Sequence, residues 1–182
     1  MSEEVTALAK ARSRLWKPMT PKMKEVPKGA LLIGSFGFAG LSPVSSGTVG
    51  SAVAAILYYA IPYLQHLPIL AAACIVILVA GTIATDIIEL KLGEHDPSVV
   101  VIDEVLGQWI ALFTWSYVGD PIYVVIAFVA FRAFDIFKVY PASFFEKRHG
   151  GSSVMLDDAV AGIYANIVAH LCMLAVPYLH LR

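Results

Sequence analysis

The sequence predicts an all-α fold, a multi-pass helical bundle embedded in a membrane, with short spans and its polar loops gathered on one face. Composition is the first observation. Of the 182 residues 58% are hydrophobic and only 15% charged, against roughly a quarter charged in an ordinary soluble domain. The second is a stretch from Gly29 to Thr85 that contains no Asp, Glu, Lys or Arg, as membrane spans do. The third is punctuation: the apolar runs are too long for strands and are cut by Gly and Pro, which marks successive helices.

The chain divides into a basic arm, residues 1–28, and a single helical domain, residues 29–182. The arm carries seven Lys/Arg against three Glu and is expected to be partly disordered, with a short amphipathic helix over 4–16. It suits a lipid-headgroup surface; no nucleic-acid recognition motif follows it. A loop of small residues, "GSFGFAGLSPVSSGTVGS" (34–51), leads into a first apolar helix over 49–61 that stops at Pro62. A second covers 68–90, with Asp86 and Glu89 at its end. Gly93 to Pro97 form a break. A third helix is expected over 99–117, closed by "GDP" at 119–121, a fourth over 122–139, and a last over 154–176. Placing the basic arm inside gives five crossings and puts every acidic cluster except Asp120 on the cytoplasmic face. Cys74 and Cys172 lie mid-way along apolar runs without CxxC spacing, as small buried side chains rather than a disulfide or zinc site.

Two acidic pairs carry the chemistry. "VIDEVLG" (101–107) places Asp103 and Glu104 in an apolar run, and "MLDDAVAG" (155–162) repeats the pattern with Asp157 and Asp158. In each, a small residue follows the second acid by three positions, Gly107 or Ala161, with Gly162 next. At helical spacing that residue shares a face with the acid and lets a neighbouring helix approach closely. Four carboxylates brought together repel unless a cation sits among them, and all-oxygen donors point to Mg²⁺. Helix capping explains one such pair alone; two on the same side favour metal.

"FRAFDIFKVYP" (131–141) sets Arg132, Asp135 and Lys138 on one broad helix face. Asp135 can extend the carboxylate cluster while Lys138 and Arg132 hold phosphate oxygens; taken alone, the row reads as local ion pairs and side chains snorkelling to the interface. "SPVSSGTVGS" (42–51) offers free backbone amides before a helix, an anion cradle that includes Gly47, Thr48 and Ser51. It is not a Walker loop, since no GK[ST] follows. Asp96, in "GEHDP", and His149, in "RHGG", are second-tier candidates, the histidine as proton donor to a leaving group. His95 reads as a surface or cap residue. Together these parts suggest metal-assisted hydrolysis or transfer of a lipid phosphate.

The ordered set "LSP…SGTVGS", "HDPSVVVIDEVLGQW", "FRAFDIFKVYP" and "HGGSSVMLDDAVAG" resembles the phosphatidylglycerophosphatase A family from about Gly29 to the C-terminus. The resemblance implies a bacterial, Mg²⁺-dependent phosphatase of the cytoplasmic membrane, multi-pass with its site facing the cytoplasm. It would convert phosphatidylglycerophosphate to phosphatidylglycerol and phosphate in phospholipid synthesis. Asp103 and Glu104 match the family's first acid pair, Asp157 and Asp158 the second, and Asp135 with Lys138 the middle motif. Ser46 and Val139 stand where the family usually has Pro. The alternative from another class is a membrane cation transporter, which predicts acids at mid-span on facing helices.

Overall fold

The computed structural model describes residues 19–43, 45–146 and 149–179, and among them every regular element is helical. The helix expected over 4–16 lies outside the described residues. In chain order the helices are α1 (Pro21–Glu25), α2 (Lys28–Gly34), α3 (Ser46–Ala60), α4 (Leu67–Leu92), α5 (Ile102–Ala111), α6 (Pro121–Phe137), α7 (Ala142–Glu146) and α8 (Gly151–Leu179), with 3₁₀ turns at Ala39–Leu41 and Pro62–Gln65.

Local chemistry sets most boundaries. Pro62 ends the α3 run, and Gly93 closes α4 in a left-handed conformation at φ 71°, which glycine adopts without a Cβ penalty. Asp120 caps α6: its Oδ1 accepts from the amides of Ile122 and Tyr123 at 2.8 and 3.2 Å, with Pro121 at the first helical position,. Asp86 receives the first amide of α8, Gly151 N, at 2.6 Å. Described residues of the basic arm pack on the bundle: Val26 is buried, and the Lys22 ammonium donates to the Leu92 carbonyl at 3.2 Å.

Two helices, α4 and α8, are long and apolar enough to cross a membrane. On α4 the side chains of Ile75, Val76, Val79 and Ile83 are each more than half exposed, an apolar flank that a water-soluble bundle would cover. The third expected span, 99–117, is corrected. Helix α5 has ten residues, about 15 Å of rise, half the hydrocarbon thickness of a bilayer. Five full crossings therefore do not describe this chain. The helix stops early because its last carbonyls find side-chain partners inside the bundle. Asn166 Nδ2 donates to Ala111 O and Phe113 O at 3.1 and 2.6 Å, and Tyr123 Oη donates to Ala111 O at 3.2 Å. An apolar run alone cannot announce such a break, because the satisfying groups come from α6 and α8.

α5 is the hub of the bundle. Val105, Leu106 and Ala111 are almost wholly enclosed, and Trp109 Nε1 donates to Ala54 O on α3 at 3.0 Å. It lies parallel to α8 with backbones in contact. A Cβ on Gly162 would collide with the Gly107 carbonyl, and one on Gly107 with Phe131 and the Asp158 carbonyl. The close approach expected from the small residue after each acid pair is what the two helices make.

Candidate active site

The parallel α5–α8 contact sets the register of the acids. Asp103 and Glu104 occupy the first turn of α5; Asp157 and Asp158 lie in the second turn of α8, one turn before Gly162. Asp103, Asp157 and Asp158 are buried and Glu104 partly so. Asp103, Glu104 and Asp158 each offer a carboxylate oxygen, and these oxygens lie within 4.8 Å of one another. Asp103 Oδ1, Glu104 Oε2 and Asp158 Oδ2 are buried without a hydrogen-bond partner. Buried carboxylate oxygens are ordinarily satisfied, so the donor set fits a hard divalent cation. Burial pushes Asp103 up to about 6. Burial and the neighbouring Asp103 hold Glu104 well above its usual range.

A cavity of about 60 Å³ opens on this cluster, room for an ion with about two waters. Its wall also includes His95, Asp96, Asp135, Lys138 and Asp157. Asp135 and Asp157 already have cationic partners. Lys138 Nζ donates to Asp157 Oδ2 at 2.8 Å, and Arg132 Nη1 to Asp135 Oδ2 at 2.8 Å. Of the five acids expected at the metal, three bring carboxylate oxygens within 4.8 Å of one another, while Asp135 and Asp157 are ion-paired with the two cations beside them.

The end of the small-residue segment, expected as loop to residue 51, is helical from Ser46, and it reaches the site through Gly47 and Ser51 in the first turns of α3. Gly47 packs so close to Glu104 Oε1 that a Cβ would overlap it. Ser51 Oγ donates to Gly47 O at 2.8 Å and accepts from Arg132 Nη1 at 3.3 Å. Thr48 stands in the first turn of α3, its hydroxyl 2.7 Å from that of Ser45, outside the cavity wall. Three non-glycine residues at this end, Ser45, Asp96 and Lys138, have positive φ, 35°, 47° and 45°, a conformation that costs of order 1 kcal/mol or more per residue. At Lys138 it terminates α6 and turns the chain where the ammonium meets Asp157.

His149 is exposed and lies against the ring of His95, centroids 4.8 Å apart. The cavity-lining imidazole is His95, which the sequence reading set aside as a cap residue. Its Nδ1 is 2.7 Å from Glu89 Oε1, which also accepts the Asp96 amide at 2.8 Å. The signal available was its adjacency to Asp96. Gln108, one turn below Glu104, is fully buried with both amide atoms unpartnered, and it too was missed.

The family described as phosphatidylglycerophosphatase A matches residues 32–173. Three relatives are similar over most of their length. A putative phosphatidylinositol-3-phosphatase of Bacteroides thetaiotaomicron is 38% identical over 76% of this chain and 89% of its own. A phosphatidylglycerophosphatase A of Escherichia coli is 34% identical over 79% and 87%, and one of Haemophilus influenzae 33% over 76% and 84%. No solved structure matches the chain.

Proposed function

The chain belongs to the phosphatidylglycerophosphatase A family, a phosphatase acting on a phosphate monoester, and from that premise we propose that it hydrolyses phosphatidylglycerophosphate to phosphatidylglycerol and phosphate with Mg²⁺ as cofactor. The observation that carries the reading is the trio of unpartnered carboxylate oxygens facing a cavity rimmed by Lys138. The exposed apolar flank of α4 and the length of α4 and α8 support embedding in the bacterial cytoplasmic membrane. The basic arm supports a site that faces the cytoplasm.

Asp103, Glu104 and Asp158 would hold the cation, which when bound would supply neutralisation of phosphoryl charge and a more nucleophilic water. Lys138 exchanges Asp157 for a phosphate oxygen, and Arg132, steadied by Asp135 and Ser51, takes another. Hydrolysis breaks the P–O ester bond and leaves an alkoxide that must be protonated. His95, oriented by Glu89, is the donor placed in the cavity wall. The transporter alternative has no support: the acids gather at one end of the bundle instead of lining mid-span.

The test is phosphate release by purified protein from phosphatidylglycerophosphate and, side by side, from phosphatidylinositol 3-phosphate. The second lipid is included because the relative with 38% identity bears that substrate's name. Release from the first with Mg²⁺, abolished by chelator, is expected. No release under any divalent cation contradicts the assignment, and preference for the inositol lipid moves the substrate while keeping the chemistry.

A further inference from the structure

A second cavity, of about 370 Å³ and almost wholly apolar, lies between α3 and α6 on the outer flank of the bundle. Its wall is formed on α3 by Ala52, Ile56 and Tyr59 and on α6 by Val124, Val125 and Phe128, among others. These positions make one stripe on each helix. Extended by one turn toward the acidic end, the α3 stripe arrives at Thr48 and the α6 stripe at Arg132. Both are polar, half-buried residues, and Arg132 is bonded to Ser51 and Asp135 beside the carboxylate cluster. The groove thus runs toward the phosphate end of the site, and the two stripes change from apolar to polar and cationic where a lipid changes from chain to headgroup.

We propose that this groove seats one acyl chain of the lipid phosphate, with the glycerol portion passing Thr48 and the phosphate between Arg132 and the carboxylate cluster. The inference rests on the lipid-phosphatase reading. From position 52 to position 60 the α3 wall is about 12 Å long, enough for the part of a chain nearest the glycerol, while the remainder lies among bilayer lipids. The small side chains of Ala52 and Ala55 keep the groove open. Since a chain leaving the bilayer gains packing contacts and no hydrophobic transfer energy, the groove orients the ester more than it tightens binding, and its effect is graded with chain length.

The experiment compares dipalmitoyl and dihexanoyl forms of phosphatidylglycerophosphate in mixed micelles at fixed surface concentration, using wild type, Ala52→Phe and Ala60→Phe. Filling the mouth with Ala52→Phe is expected to lower kcat/KM for the dipalmitoyl lipid roughly five- to tenfold and to lower it less for the dihexanoyl lipid, whose short chain occupies only the mouth. Ala60→Phe, at the far end, has a smaller effect confined to the long chains. Should Ala52→Phe lose activity on both lipids and cooperative thermal unfolding, Ile56→Trp, at an exposed position, carries the same test. Equal effects on both chain lengths in a folded variant, or none on either, overturn the groove and leave it to annular lipid or a second copy. No phosphate release by wild type from either lipid instead overturns the lipid-phosphatase reading itself.

Discussion

The two ends of the α5–α8 pair are built from the same contact but finished differently. At the acidic end, Asp103, Glu104 and Asp158 bring three carboxylates together with a buried oxygen on each left unpartnered. Two to three turns along, Asn166 and Tyr123 bond the carbonyls of Ala111 and Phe113, and His170 Nδ1 lies 3.4 Å from Tyr123 Oη and 2.9 Å from Asn166 O. The far end is a closed polar network that terminates a helix inside apolar surroundings, where each unsatisfied carbonyl would be costly. The near end is open, with buried oxygens free to take an ion or ordered water. Completeness separates the structural cluster from the functional one better than residue type, since both are polar and enclosed.

Substitutions at the two ends should therefore part activity from stability. The largest effect is expected from Asp158→Asn: phosphate release falls roughly a hundred- to thousandfold, while unfolding without cation is unchanged or slightly raised because one repelling carboxyl is gone. Retained activity would remove Asp158 from the site. Gly107→Ala comes next. Its Cβ collides with Phe131 and the Asp158 backbone, so about 1–3 kcal/mol of stability is lost. Parting α5 from α8 should also weaken cation affinity by about tenfold, read by titrating Mg²⁺ against activity. The smallest activity change is expected from Asn166→Leu, about 12 Å along α8 from Asp158. It uncovers the α5 carbonyls at about 1–2 kcal/mol and lowers the melting temperature. The folded fraction keeps its rate within about twofold, as for separated sites. Equal loss of rate at both ends would dissolve the distinction.

The acidic end was legible in the sequence because its logic is local: paired carboxylates, a small residue three positions on, and apolar flanks. Gly107 and Gly162 do what their spacing implied, and Asp120, Gly93 and Pro62 bound helices as their chemistry dictates. The half-length of α5 was hidden, because the groups that permit its end, Asn166 and Tyr123, are supplied from elsewhere in the chain. His95 was hidden for a similar reason, being drawn to the cavity by Glu89 across the turn at Gly93. The ion pairs that occupy Asp135 and Asp157 depend on helix register and cannot be read from spacing alone.

The central claim is that Asp103, Glu104 and Asp158 are held for a divalent cation, and proton linkage makes it measurable without substrate. In cation-free protein burial pushes Asp103 up to about 6 from 3.8, so between those values the folded state binds more protons than the unfolded. Stability therefore falls as pH rises through that window. Cation binding replaces those protons and reverses the loss. Thermal unfolding of wild type and Asp158→Asn, with and without Mg²⁺, at about pH 5 and about pH 7.5 is the decisive measurement. A Mg²⁺-dependent rise in Tm that is larger at the higher pH and absent in Asp158→Asn is predicted. A wild type indifferent to Mg²⁺ at both values, or a variant that gains as much as wild type, would contradict it.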